Sequence, residues 1–387
     1  MNRLIGSFLC AMIMLALSSA VQAGVLFSDN FDDHSDWSPQ QPAYGGAISS
    51  RDGNAIRACT GCPDGTAKYA AYRVARTGFS DGRVGRNTLN ITGENARGGS
   101  GKAFNFYVEP LDASLAEDWT NDGLLVVALN GNYETIYMRY YIKFSDNWVW
   151  NDNGTSTIKM GHMQHTRPGG SYWSYFKDGD NWPAVVPGFA KEYASGTNFY
   201  WNGQAVFRMH IRKQSCYYPS DGYNNMPDDV ANDFFRYGLS DSVTNCTLGS
   251  NCLTWEDILM DGEWHSIEYK LKGNSAKGVS DGEFLMYIDG HLAISKTNIP
   301  WADMGADASG TRACSDCGGR VVNPPSDFLG WNTVIIGGNA NIQRFSNTSN
   351  TNVEQRYTID DLVIATSYIG PDYVIGAPPA PPKGVSQ

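Results

Sequence analysis

Residues Asp261-Gly-Glu-Trp-His-Ser-Ile-Glu-Tyr-Lys-Leu271 lead, through a Gly/Ser/Asn loop, into Asp281-Gly-Glu-Phe-Leu-Met-Tyr-Ile-Asp-Gly-His-Leu-Ala-Ile294, and this stretch decides the fold. Side chains of an extended strand alternate between two faces. In the first run His265, Ile267, Tyr269 and Leu271 fall on one side, and Trp264, Ser266, Glu268 and Lys270 on the other. The second run is strand-like too, and Asp289-Gly290 supplies the chemistry of a two-residue reversal. The stretch predicts a β-hairpin followed by a tight turn into 291–295.

Outward from this hairpin, aromatic and β-branched runs bounded by Gly, Asn and Asp recur at 25–28, 103–108, 124–128, 135–144, 157–164, 205–213, 333–337 and 357–366. Each reads as a strand. Helical periodicity is confined to short segments at 228–236, after Pro227, and at 255–260. The expectation is an all-β protein, a two-sheet antiparallel sandwich with long loops and a few short helices. No fixed-period repeat is present.

An Asp-Gly-Glu-Trp-His strand followed by a Tyr-Ile-Asp-Gly strand and turn resembles the concanavalin A-like lectin/glucanase jelly rolls of secreted bacterial proteins. That superfamily contains lectin domains, glycanases and several polysaccharide lyases. The resemblance also implies paired terminal strands, here Phe27-Ser-Asp-Asn-Phe-Asp-Asp33 and Ile359-Asp-Asp-Leu-Val-Ile364. Some members hold a structural calcium there, and Asp29, Asn30, Asp32, Asp360 and Asp361 offer the hard oxygen ligands calcium takes. Exposed acids at strand ends are the plainer alternative. No organic cofactor is expected.

Residues 1–23 carry Arg3, an apolar run at 9–17 and Ser-Ser-Ala-Val-Gln-Ala23, the three regions of a secretory signal peptide. The mature chain is expected to start at Gly24, with one jelly-roll domain over 24–375 and a proline-rich tail over 376–387. No later run approaches the length of a membrane helix. Export makes the protein extracellular or periplasmic.

The formal charge of −11 argues against a general nucleic-acid binder. Charge is uneven, however: 159–213 holds seven basic residues against three acidic ones, while 221–263 is strongly acidic. Of eight cysteines, Cys10 lies in the leader. The seven others, Cys59, Cys62, Cys216, Cys246, Cys252, Cys314 and Cys317, suggest disulfides in an oxidising compartment, with at least one left over. The Cys59/Cys62 and Cys314/Cys317 pairs also suit a tetrahedral zinc site. Cys246–Cys252 is the expected small loop and Cys216 the candidate free thiol.

Strand 135–144 divides into Ile136, Met138, Tyr140, Ile142 and Phe144 on one face and Tyr137, Arg139, Tyr141 and Lys143 on the other. Strand 205–213 repeats the pattern, with Phe207, Met209 and Ile211 opposite Arg208, His210 and Arg212. If both strands belong to one sheet, their polar faces make one groove suited to an acidic polysaccharide, because guanidinium groups pair with carboxylates. Trp173, Trp182 and Trp201 are candidates for stacking on sugar rings. The ordinary alternative is that half-solvated sheets point such residues outward for solubility.

Strand 157–164 adds Met160, His162 and Gln164 on one face and Lys159, Met163 and His165 on the other. His162 and His165, three apart, face opposite ways and do not suggest a metal pair. Trp264 and His265 read as structural. The carboxylate pair of laminarinase-type hydrolases, Glu-x-Asp-x-x-Glu, is absent, and with it the close acids that retaining hydrolysis needs. Of the strand motifs of jelly-roll alginate lyases only Tyr175-Phe-Lys-Asp-Gly179 is present, out of order.

The leading expectation is polysaccharide recognition, with β-elimination as the activity if the protein is an enzyme. Arg139 or Gln164 would neutralise the uronate, His210 or His162 would take the C5 proton, and Tyr137 or Tyr141 would protonate the leaving oxygen. Lys143, Arg208 and Arg212 would bind. The rivals are a non-catalytic lectin or adhesion module and an extracellular structural protein linked through a free cysteine.

Overall fold

The structure, a computed structural model, describes residues 24–33, 36–38, 47–50, 68–75, 87–108, 122–148, 155–166, 168–173, 183–192, 206–212, 234–237, 255–276, 279–299, 301, 329–341 and 355–376. In chain order the elements are β1 (Val25–Asp29), β2 (Ala47–Ser50), β3 (Ala71–Ala75), β4 (Leu89–Thr92), β5 (Ala103–Val108), β6 (Gly123–Tyr133), β7 (Thr135–Phe144), β8 (Thr155–Lys159), β9 (Gly161–Gln164), β10 (Ala184–Glu192), β11 (Val206–Arg212) and β12 (Phe234–Tyr237). There follow the helix α1 (Trp255–Leu259), β13 (His265–Lys272), β14 (Gly282–Ile288), β15 (His291–Ile299), β16 (Trp331–Gly338), β17 (Ala340–Asn341) and β18 (Gln355–Ala365).

The strands form two antiparallel sheets. Sheet I runs β15-β14-β13-β7-β18-β5-β4, with β1 also on β18; sheet II runs β12-β11-β10-β9-β16-β6-β3-β2, with β8 joining β10 to β17. One apolar core lies between them and takes Ile136, Met138, Tyr140, Ile267 and Tyr269 from sheet I and Leu125, Met163, Val185, Phe207 and Val334 from sheet II. The expected sandwich is therefore the observed one, because each strand buries one alternating face.

The 261–294 stretch folds as read. β13 and β14 pair from Ile267↔Ile288 to Lys272↔Glu283. Asp289 (φ 49°) and Gly290 (φ 80°) then make the turn into β15, both positive as a primed turn requires. His265 is structural as expected: Nδ1 meets Asp289 Oδ2 at 2.7 Å and Nε2 meets Asp261 Oδ1 at 3.1 Å. The terminal strands also pair, Ser28↔Val363 and Asp29↔Leu362 lying opposite each other.

Three expectations need correction. Phe234–Arg236, expected in a helix, belongs to β12, where pairing with β11 overrides local propensity. The single strand 157–164 is two strands, so Met160 joins the core rather than the His162 face. Most consequentially, β7 lies in sheet I and β11 in sheet II. The groove combining Tyr137, Arg139, Tyr141 and Lys143 with Arg208, His210 and Arg212 therefore does not exist. β7 buries Ile136, Met138, Tyr140, Ile142 and Phe144, and β11 buries Phe207, in one core but from opposite sides of it.

Candidate functional site

On the outer side of sheet I, residues 366–376 cross β7, β13 and β14 like a strap. The amides of Ile369 and Gly370 donate to Glu268 Oε1 and Oε2, both at 2.8 Å, and the Tyr141 hydroxyl donates to the Pro371 carbonyl. Tyr368 packs edge-on to Tyr137 and beside Tyr287, and Tyr373 lies over the Arg139 guanidinium, 5.9 Å from it. Arg139 is wholly buried as a result. Its Nη2 reaches the Asp361 carbonyl at 3.5 Å, and its plane covers Tyr141 at 4.9 Å. Arg139, Tyr137 and Tyr141 thus fasten a chain segment rather than line a cleft, and Lys143 sits half-buried on the same strand.

The candidate calcium ligands are engaged by protein donors. Asp29 is saturated by the Phe31 amide (2.8 Å), the Tyr69 hydroxyl (2.7 Å) and Lys68 (2.7 Å). Asp32 accepts from Asn30 and the Lys102 amide, Asp360 from the Arg97 and Asp361 amides, and Asp361 from the Arg97 side chain. Among the described residues no group of three or more His, Cys, Asp or Glu stands together as a metal site. The side chains have found protein donors instead.

On the outer side of sheet II the sequence places a different polar cluster, and one local irregularity builds it. β10 pairs Val185↔Met163 and Ala184↔Gln164 with β9, but Gly188↔Lys159 with β8. Between these registers two residues of β10 oppose three of the partner, a bulge centred on Met160 and Gly161. The Met160 amide donates to the Pro187 carbonyl at 3.0 Å. Pro187, unable to donate, is tolerated in an interior strand because it sits at this irregularity. Gly161 is required there, since a Cβ would lie 2.7 Å from the Ile335 carbonyl oxygen.

The extra residue shifts the alternation by one. Ile158, Met160 and Met163 all face the core, so Lys159, His162 and Gln164 all face outward together. The register extends this face across two more strands. Gly188 lies between Lys159 and Arg208, Ala184 lies between Gln164 and Arg212, and Val186 lies opposite His210. By register, β10 places Ala184, Val186 and Gly188 between the row of Lys159, His162 and Gln164 and positions 208, 210 and 212, the two rows lying two inter-strand spacings, about 9–10 Å, apart.

The described members are shielded from solvent: Gln164 is 0% exposed, His162 1% and Lys159 4%. Gln164 Nε2 donates to Thr166 Oγ1 (3.0 Å) and the Tyr172 carbonyl (3.1 Å), while its Oε1 has no partner among the described residues. Burial and the adjacent Lys159 charge hold the His162 imidazole well below its usual range, so it is neutral at neutral pH. Asp122, joined to Arg73 at 2.6 Å, is raised by burial against the opposing pull of Arg73 and Lys159. Tyr172 and Trp173 pack on Ala71, Leu124, Val126 and Ile335, the apolar part of the same face.

Of the sequence candidates, the fold gathers His162, Gln164 and Trp173, and by register Arg208, His210 and Arg212. It excludes Arg139, Tyr137, Tyr141 and Lys143. Trp182, Trp201, residues 1–23, the seven cysteines that follow them and the proline-rich residues beyond 376 lie outside the described residues. Sequence reasoning passed over Lys159, Asp122 and the small row of β10. The signal was present as Ala184, Val186 and Gly188 alternating with Val185 and Phe189, hidden by Pro183 and Pro187.

No family model matches the sequence, and no curated protein matches it. Among solved structures, a mutant alginate lyase in complex with alginate trisaccharide is similar with a TM-score of 0.43 and 11% identity, over 90% of this chain and 100% of that one. An endo-β-1,4-glucuronan lyase from the fungus Trichoderma reesei gives 0.38 and 12%, over 74% and 91%. A pseudo β-1,3-glucanase and immunostimulatory antigen of Mycobacterium tuberculosis gives 0.31 and 16%, over 89% and 100%.

Proposed function

We propose that this is an exported protein that recognises an acidic polysaccharide on the outer face of sheet II, and that it cleaves the chain by β-elimination. The observation that carries the reading is the arrangement of Lys159, His162 and Gln164 on one wall and positions 208, 210 and 212 on the other, with small residues between. Lys159 on one side of the small-residue row, with Arg208 and Arg212 in register on the other, would supply cations for a chain of carboxylate-bearing sugars. Trp173 offers a stacking surface at its end.

In this reading the arginines of β11 hold the uronate carboxylate and lower the cost of charge developing at C5. His162, neutral, accepts the C5 proton. The C4–O bond breaks as the C4=C5 bond forms, and His210 on the opposite wall returns a proton to the leaving oxygen. Arg139, Tyr137 and Tyr141 have no part in it, being engaged with the strap.

The burial of His162 favours a second reading, a binding module whose histidine only shapes the face. Incubation of purified protein with a panel of acidic and neutral glycans separates the two. Rising ultraviolet absorbance from an unsaturated uronate, lost in His162→Asn, supports the lyase. Binding without absorbance change, retained in His162→Asn, supports the module.

A further inference from the structure

We propose that Gln164 is a specificity-determining residue that accepts a hydrogen bond from a ring hydroxyl of the uronate, leaving the carboxylate to the arginines of β11. The inference rests on the reading of sheet II as the glycan face and narrows the sugar that face takes. The sequence offers Gln164 as a partner for the carboxylate, which requires an N–H. The fold uses both of its N–H groups elsewhere.

A side-chain amide has two donors on its nitrogen and one carbonyl acceptor. Gln164 Nε2 donates to Thr166 Oγ1 at 3.0 Å and to the Tyr172 carbonyl at 3.1 Å. The second contact fixes which way the group lies, because a backbone carbonyl only accepts and the nitrogen must face it. Thr166 is itself anchored: its amide donates to Asn332 Oδ1 at 2.7 Å, and its carbonyl accepts from Asn332 Nδ2 at 3.0 Å. The planar amide is thus held by its nitrogen, with Oε1 turned away from both partners.

That oxygen is the atom left over. Gln164 is 0% exposed, and Oε1 has no donor among the described residues. Its row of the sheet offers none. Register places Thr333 of β16 on one side and Ala184 of β10 on the other, with position 212 one strand beyond Ala184. Thr333 gives its hydroxyl proton to Asn332 Oδ1 at 2.9 Å, and Ala184 has no polar side-chain atom. A buried carbonyl without a donor is costly and rare, which points to a donor brought by a ligand. A carboxylate brings only lone pairs and is repelled by it. A sugar hydroxyl brings a proton. In a 4-linked uronate, the kind that elimination across C4 and C5 requires, the free hydroxyls stand at C2 and C3 of the ring that carries the carboxylate.

The test uses the full-length protein with tetrasaccharides of alginate and of β-1,4-glucuronan, and with analogues of each deoxygenated at C2 or at C3. Preference is read as Kd by calorimetry where the glycan is only bound, and as kcat/KM where it is cleaved. One of the two analogues should be about tenfold poorer than its parent with the wild type. Folded Gln164→Met should treat parent and analogues alike to within about twofold, while the weakening of binding by salt, which reports the carboxylate contacts, stays as in the wild type. Equal preference for parent and both analogues in the wild type overturns the proposal without recourse to the variant, and means that water meets the carbonyl. A penalty that persists in folded Gln164→Met also overturns it. If neither parent glycan is bound, the reading of sheet II falls and this proposal with it, whereas binding without preference sinks this proposal alone.

Discussion

Glu268 and Arg139 stand directly opposite each other on β13 and β7, 3% and 0% exposed, beneath the strap that both help to hold. Removing either charge strands the other in a poorly solvated place. Glu268→Ala should therefore destabilise the protein by about 3–5 kcal/mol, and Arg139→Ala by a similar amount. The pair Glu268→Met with Arg139→Met should cost much less than the two alanine changes added together. Urea denaturation with a double-mutant cycle measures this. On the lyase reading, Arg139→Ala protein that remains folded should keep any turnover the wild type shows, and turnover abolished with the fold intact would return Arg139 to the candidate site.

Asp360 gives stability a pH dependence of unusual sign for an acid. Burial, helped by Asp361 and Asp32, pushes its carboxyl up to about 7 despite two amide donors. A raised acid contributes stability that is whole below about pH 4, its unfolded value, and is lost as pH rises through the folded value. Asp360→Asn should flatten this decline, worth on the order of 3–4 kcal/mol between those limits. Denaturant midpoints at pH 5 and pH 8 would check it, and equal slopes in wild type and variant would refute it.

His265 adds to the same trend by another route. Its hydrogen bond to Asp289, with further help from Asp261, raises it above the ordinary histidine value against the cost of burial. The stabilisation is complete below about pH 6.5 and disappears as pH rises through the folded value. His265→Ala should cost about 1 kcal/mol at pH 5.5, partial exposure limiting the effect, and less at pH 9. A thermal-melt series across pH reads the difference.

Chelation should leave the melting temperature unchanged, because Asp29, Asp360 and Asp361 already spend their oxygens on Lys68, Tyr69, Arg97 and backbone amides. A fall of several degrees with a chelator, reversed by calcium, would mean that an ion binds the folded protein at these termini.

Much of this architecture was legible in alternation alone. The hairpin β13–β14, the turn at Asp289-Gly290, the two faces of β7 and the pairing of the terminal strands follow from side-chain period and turn chemistry. Alternation assigns a residue to a face but does not say which sheet owns the strand, since that depends on pairings between distant segments. That is why Arg139 and His210, similar in local pattern, came apart. The Met160–Gly161 bulge was hidden for a different reason: apolar Met160 and Met163 are compatible with either register, and only the core chooses. β10 was missed because two prolines speak against an interior strand unless a bulge receives one of them.

The position of β18 has a consequence for how the polypeptide reaches this state. It follows every other described strand in sequence, yet it lies inside sheet I, with β7 along one edge and both β5 and β1 along the other. Until it arrives, β7 and β5 have no common partner and β1 has none. A nascent chain leaving a ribosome or a translocation pore can complete the β13–β14–β15 meander early, but sheet I stays divided until its last strand is released. Such distant pairings are slow and leave strand edges exposed while they wait. A truncation that removes β18 should therefore yield aggregation during synthesis rather than a smaller soluble domain.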